Sequence, residues 1–475
     1  MNRLTWIAAI LLPAFCFAQP GYEIKISFKP FKNQYIYLGH YEGKQLPIID
    51  SVMVNDRSEA IFKGEQTLGQ GVYLIGYPNK MGFFEILIGK EQHFSIDADT
   101  ANLRNVKFTN SPDNDLFNSY QRYMSVNGRK IDSAQRLMAG ASHADTVRLN
   151  AYIVQVNREI SEYRRNIMST HPDATLSFLL KLLQEPEILP ASKQPNGKYD
   201  SAYVYRYYKS HFWDGINFYD DRLLRTPMFE SKLDKYFDQL VYPHPDSVIK
   251  EIDWMLGYAS ANEEMQKFLL MKFVNRYLNL KYMWDDAVFV HLYEKYFSQK
   301  TYPWLTDKGR KIIQDRAYSL MANILGNPAA DVELPDTSGT MRTLYKTNAA
   351  YTVVIIWDPT CSHCKETLPK IDSLYRVKWK AEGVKIYALA KETDGTKTDW
   401  FNFIRKHHTQ EWTNVYYSKA DDKARIEAGI PGYSQLFDVQ SFPTLYLLDK
   451  DKRIIAKKLA YDQIDGVLDE KTKHH

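Results

Sequence analysis

The chain has 475 residues, 44% of them hydrophobic and 25% charged, a balance that excludes disordered, collagen-like and fibrous classes. At roughly 100–200 residues per domain it has room for two to four domains. Lys and Arg number 61 against 57 Asp and Glu, a net charge of +4, too even for a dedicated nucleic-acid binder. Three cysteines are too few for a disulfide scaffold.

The chain opens with Arg3, an apolar run from Leu4 to Phe15, and then Cys16-Phe17-Ala18 before Gln19. The run is shorter than the ~20 residues a membrane-spanning helix needs. It fits a secretory signal over 1–18, cut between Ala18 and Gln19. An alternative is a lipoprotein signal acylated at Cys16, against which stands the bulky Phe15. The expectation is an exported protein of a Gram-negative periplasm, with no transmembrane segment. Cleavage removes Cys16 and leaves Cys361 and Cys364, spaced C-x-x-C. Closing so short a loop constrains the unfolded chain little, so reactivity explains the pair better than stabilisation does.

Residues 19–111 alternate apolar and polar in short runs, as in Tyr22–Phe28, Gln34–Gly39, Gln70–Gly76, Gly82–Ile88 and His93–Asp97. This pattern predicts an antiparallel β-sandwich. It is similar to the β-rich domain of unknown function that precedes thioredoxin modules in exported bacterial proteins. Over 112–325 the period turns helical. Leu149, Ile153, Val156, Ile160, Tyr163 and Ile167 form one stripe, and Met265, Phe268, Leu269, Phe273, Tyr277 and Leu280 another. An all-α domain is expected there, one that resembles the helical middle region of the same proteins. Its Trp213–Phe218 stretch reads as core, with a groove lining as the alternative.

Over 326–475 strands and helices alternate: Thr352–Trp357, Lys365–Lys380, Val384–Ala390, Asp399–His407, Trp412–Tyr417, Pro443–Leu448 and Arg453–Lys457. The order predicts an α/β domain with a mixed sheet covered on both faces. Within it, the apolar strand Val353–Trp357 runs through Asp358-Pro359-Thr360 into Cys361-Ser362-His363-Cys364 and on to Pro369. Far downstream, Ser441-Phe442-Pro443-Thr444 opens another strand.

These motifs, in this order, resemble the thioredoxin superfamily, and within it the exported TlpA/ResA-like thiol–disulfide oxidoreductases. The leader Gly326-Asn327-Pro328 and the turn Asp336-Thr337-Ser338-Gly339 match the N-terminal extension of that branch. The resemblance implies that Pro443 is a cis-proline lying against the dithiol. It also implies that Phe442 and Thr444 border the substrate and that Trp357 is the aromatic before the loop, where core filling is an equal reading. Departures touch the proton acceptor: the acidic position six residues before the first cysteine is Ile355, and the branch's Glu position is Thr367. Asp358 and Glu366 are the remaining candidates for a proton relay.

Independently of the resemblance, a C-x-x-C that follows a strand and opens a helix sets Cys361 at the helix N-terminus. Unpaired N–H groups and the macrodipole favour an anion there, and such sites lower a thiol pKa to roughly 3.5–7.5. Cys364, three residues on, falls on the inward stripe with Leu368, Ile371 and Tyr375. His363 between them can donate to the Cys361 sulfur or add charge beside it, which would make the disulfide more oxidising; a merely solvated histidine is the alternative. Zinc is the rival use of a C-x-x-C, but no further cysteine is left to complete a site. The expectation is a thiol–disulfide oxidoreductase acting on protein thiols and disulfides, with no cofactor, metal or nucleic acid. The alternative is a non-enzymatic binding or assembly protein of the envelope whose thioredoxin-like domain is incidental.

Overall fold

A computed structural model of the chain describes residues 21–80, 82–393 and 397–473. The expected signal over 1–18, with Cys16, lies outside the described residues. These divide into two compact units, one running to Val241 and including Met255–Phe268, the other comprising Tyr242–Trp254 and Leu269 onward. Among them no helix is long and apolar enough to cross a membrane.

The first unit begins as a β-sandwich. Its strands are β1 (Tyr22–Lys29), β2 (Tyr35–His40), β3 (Ile48–Met53), β4 (Glu59–Gly64), β5 (Gly71–Gly76), β6 (Phe83–Ile88), β7 (His93–Asp99) and β8 (Lys107–Thr109). Among the described residues they form two sheets, ordered β4-β1-β7-β8 and β3-β2-β5-β6. Ile24, Ile26, Phe28, Phe62, Phe94 and Ile96 from the first sheet meet Ile36, Leu38, Tyr73, Ile75, Ile86 and Ile88 from the second in one core. The antiparallel expectation needs one correction, because β1 and β7 pair in parallel. A parallel pair needs a long crossover. Here strands β2 to β6, drawn from both sheets, supply it, and an alternating pattern carries no information about strand direction.

Helices follow: α1 (Pro112–Met138), α2 (His143–Thr170), α3 (Thr175–Leu183), α4 (Ser201–His211) and α5 (Phe229–Gln239). Buried Asn114 of α1 accepts from the Leu87 amide at 2.7 Å and donates to its carbonyl at 2.8 Å. It thereby satisfies edge strand β6 as a neighbouring strand would. The α2 stripe buries Val156, Ile160 and Ile167. Phe212, Trp213, Ile216 and Phe218 are buried, so the apolar side chains of the Trp213–Phe218 stretch are core, while Asp214 between them is exposed and lines a surface pocket.

Helices α6 (Pro245–Ala259) and α7 (Glu263–Leu278) carry residues of both units. The second unit continues with α8 (Asp285–Leu292), a π-helical turn over Tyr293–Phe297, and α9 (Asp307–Met321). The short hairpin β9 (Glu333–Pro335) and β10 (Met341–Thr343) then turns through Gly339 at φ 85°, a left-handed angle that glycine adopts without a Cβ clash.

The rest is the α/β module: β11 (Tyr351–Trp357), α10 (Ser362–Leu374), β12 (Val384–Lys391), α11 (Lys397–His407), β13 (Thr413–Tyr417), α12 (Lys419–Glu427), α13 (Tyr433–Leu436), β14 (Thr444–Leu448), β15 (Ile454–Lys457) and α14 (Tyr461–Lys473). The sheet order is β13-β12-β11-β14-β15, with β11, β12 and β13 parallel and the last two antiparallel. Central β11 is apolar on both sides because both sheet faces are covered. Val353, Ile355 and Trp357 face the core of α10, α11 and α14, whereas Val354 and Ile356 face that of the β9 hairpin and α13.

Candidate active site

The three parallel strands end at one edge of the sheet, where loops gather and ligands commonly meet an α/β fold. β11 stops at Trp357, and Asp358-Pro359-Thr360 carries the chain to Cys361. The Asp358 carboxylate accepts from the Thr360 amide and hydroxyl, each at 2.7 Å, and its carbonyl accepts from the Cys361 amide at 3.2 Å. This turn fixes Cys361 as the N-cap of α10, with extended backbone at φ −68° and ψ 123°. Cys361 therefore stands at the end of the helix where backbone N–H groups lack helical partners, although its side chain makes no capping hydrogen bond. Cys361 is partly exposed and Cys364 is 0% exposed, and both are thiols in this structure.

The proline loop comes in from the other side. The Phe442–Pro443 bond is cis, and the Phe442 carbonyl lies 4.0 Å from the Cys361 sulfur. The Thr444 hydroxyl donates to the Ser441 carbonyl at 2.6 Å, closing the turn around Pro443. Phe442 is half-buried and touches both cores of the module.

The structure thus brings Cys361, Cys364, Phe442, Pro443 and Asp358 together. It separates others from the role expected of them. Trp357 is 1% exposed with its ring 4.7 Å from that of Phe403, so it fills the core and presents nothing to a docking chain. The Thr444 side chain is buried and used within the turn. The His363 side chain is exposed to solvent on the first turn of α10. Glu366 is exposed on the outer face of α10, away from the buried thiol.

Burial is the main cause that pushes the Cys364 thiol pKa well above its ordinary value. Hydrogen bonding to the Asp358 backbone works the other way, and the Cys361 sulfur and the Asp358 carboxylate add to the rise. Asp358 itself is 4% exposed. Burial alone would raise its pKa, but the hydrogen bonds it accepts, those from Thr360 among them, bring it below the ordinary carboxylate value. The register Trp357↔Ala390 sets Asp358 level with Lys391 at the end of β12, and the Lys391 ammonium lies 5.2 Å from the Tyr433 ring centre. Burial opposes the charge on Lys391, but Tyr433, Asp422 and Asp358 together hold its pKa above the ordinary value. Lys391 and Tyr433 were not legible as site residues. They reach Asp358 only through strand register and the fold of α13, which no local motif announces.

Residues 348–454 match a family described as thioredoxin-like. The C-terminal module belongs to the thioredoxin-like family. Residues 22–117 and 164–323 match two families described as domains of unknown function. Among solved structures, a domain of a possible thiol-disulfide isomerase from Cytophaga hutchinsonii is 34% identical over 32% of this chain and 95% of that one, with a TM-score of 0.27. A thioredoxin-like protein from Bacteroides caccae is 21% identical over 60% of this chain and 98% of that one, at 0.44. A thiol:disulfide interchange protein from a Bacteroides species is 25% identical over 32% and 96%, at 0.26. A search of the curated proteins finds no match. Within the thioredoxin-like module, the cysteine pair at the head of α10 and the proline loop are the parts that face each other.

Proposed function

We propose that the protein is an exported thiol–disulfide oxidoreductase of the TlpA/ResA-like kind, exchanging disulfides with partner proteins. One observation carries the reading: a partly exposed Cys361 at the N-cap of α10, backed by a fully buried Cys364 and faced by the Phe442 carbonyl at 4.0 Å. In the reducing direction the Cys361 thiolate attacks one sulfur of a partner disulfide. A Cys361–partner disulfide forms, and the partner's other sulfur leaves as a thiolate. Cys364, once deprotonated, attacks the Cys361 sulfur; the Cys361–Cys364 disulfide forms and the partner's second thiolate leaves. The partner gains two electrons and the chain loses two, and the reverse sequence oxidises a partner dithiol. The test is reduction of a protein disulfide by the dithiol form of the chain, followed by mass mapping of a Cys361–Cys364 disulfide in the product.

The reading assigns Asp358 a definite part in the second step. A carboxylate held below its ordinary pKa is a poor base, so its charge keeps the Cys364 thiol protonated instead of accepting its proton. Asp358→Asn, which retains an acceptor for Thr360, is expected to speed resolution of a preformed Cys361 mixed disulfide about two- to fivefold at pH 8. It should also move the alkaline limb of the pH profile to lower pH, since removing a nearby negative charge stabilises the thiolate. Stopped-flow measurement over pH 6–10 checks this; a tenfold slower step would make Asp358 the proton acceptor.

His363, exposed and water-screened, is expected to matter little. His363→Ala should change the reduction potential, read by equilibration with glutathione, by less than about 30 mV, the equivalent of ~1.4 kcal/mol. A larger fall would restore the direct coupling.

A further inference from the structure

We propose that Asp438 is a positioning residue for the proline loop, and that α9 is thereby a working part of the redox site. The inference rests on the oxidoreductase reading and names a residue that neither the C-x-x-C nor the Pro443 motif contains.

Asp438 stands four residues before Phe442, is 4% exposed, and has a left-handed backbone at φ 43°. Its carboxylate gathers groups from separate elements. Arg316 of α9 donates at 2.5 Å and the Ser319 hydroxyl, also on α9, at 3.1 Å. Lys458, just past β15, donates to its other oxygen, and Gln440 approaches within 3.5 Å. The residue before it is held too: the Phe437 carbonyl accepts from the Tyr446 hydroxyl at 2.5 Å, and the same hydroxyl lies 3.0 Å from the side-chain oxygen of Asn323, just beyond α9.

The segment from Asp438 to Thr444 is therefore pinned at both ends. At one end a buried carboxylate is gripped by two cations and a hydroxyl; at the other Thr444 bonds Ser441 and enters β14. Between the pins lie Phe442, whose carbonyl faces Cys361, and Pro443. Charge-assisted hydrogen bonds of this kind fix geometry as well as contributing energy, and a site built on such supports is held to within fractions of an ångström. A docking polypeptide needs that loop in place, whereas a small alkylating reagent needs only the sulfur.

The experiment exploits the difference in the full-length chain. For wild type, Asp438→Asn, Arg316→Gln and Arg316→Lys, two rates are measured well below the melting temperature: exchange with a protein disulfide, and alkylation of reduced Cys361 by iodoacetamide. Asp438→Asn is expected to lower kcat/KM for exchange at least tenfold, chiefly through KM, with alkylation within twofold of wild type. Arg316→Gln should follow it, and Arg316→Lys should recover most of the loss. If Asp438→Asn fails to fold, Ser319→Ala, which removes one bond, carries the same comparison with an expected loss of about threefold. Exchange within twofold of wild type in variants that merely melt earlier would overturn the proposal, as would equal losses in exchange and alkylation. A wild-type chain inert toward protein disulfides would overturn the oxidoreductase reading itself, and this proposal with it.

Discussion

Replacing Cys361 with serine is expected to abolish disulfide exchange, a loss on the order of 10³-fold or more, because the group that forms the covalent intermediate is gone. Replacing Cys364 has a different signature. The first attack remains possible while the resolving thiol is missing, so Cys364→Ser should accumulate mixed disulfides through Cys361 that survive denaturation and vanish on adding a reductant. The asymmetry follows from burial: only Cys361 has a face open to solvent, and Cys364 can reach nothing but the sulfur above it. Non-reducing electrophoresis with mass mapping of the adducts checks both variants. Adducts of equal yield from the two serine variants would contradict the assignment of roles, and adducts from neither would favour a binding or assembly protein.

The second large effect concerns stability. The Lys457 ammonium is buried with the Asp286 carboxylate and the Asn323 carbonyl, their side chains 1% and 0% exposed for Lys457 and Asp286. Lys457→Ala leaves an uncompensated carboxylate in the interior and is expected to cost about 3–5 kcal/mol. The double variant Lys457→Met/Asp286→Leu removes both charges at similar volume and should recover most of that loss, since apolar replacements of buried pairs are often neutral or stabilising by about 1–4 kcal/mol. Urea unfolding of the full-length chain, followed by tryptophan fluorescence, measures the difference. A single variant costing under ~1 kcal/mol, or a double variant no better than the single, would show that the pair is not dry.

What could be read from the amino acids was whatever is written locally. β11 announces itself as an unbroken apolar run because both of its faces are covered, and the cysteine pair with the strand before it and the helix after it is contiguous. Phe442, 81 residues beyond Cys361, and the adjoining Pro443 were placed opposite it only through the family resemblance. Other features leave no local trace. Strand β3 escapes notice because Ile48, Ile49 and Met53 are exposed on it, so no face is marked as buried. α12 has no buried residue and hence no stripe to find.

The grouping of α8 and α9 with the C-terminal module has the same cause. It depends on pairs such as Arg316–Asp438 and Lys457–Asp286, 122 and 171 residues apart, which become neighbours only after folding. Thr444 adjoins the site, yet its side chain turns inward to build the turn, and at Trp357 the core-filling reading is the one that holds.

Differential alkylation tests the central claim most directly. The reduced full-length chain is pulsed with iodoacetamide at pH 7 and each cysteine is quantified by mass spectrometry after digestion. The account predicts rapid labelling of Cys361 and protection of Cys364 by at least a hundredfold. That protection should persist to about pH 9, because burial raises the Cys364 pKa and the thiol stays protonated there. Equal labelling of both, or faster labelling of Cys364, would contradict it.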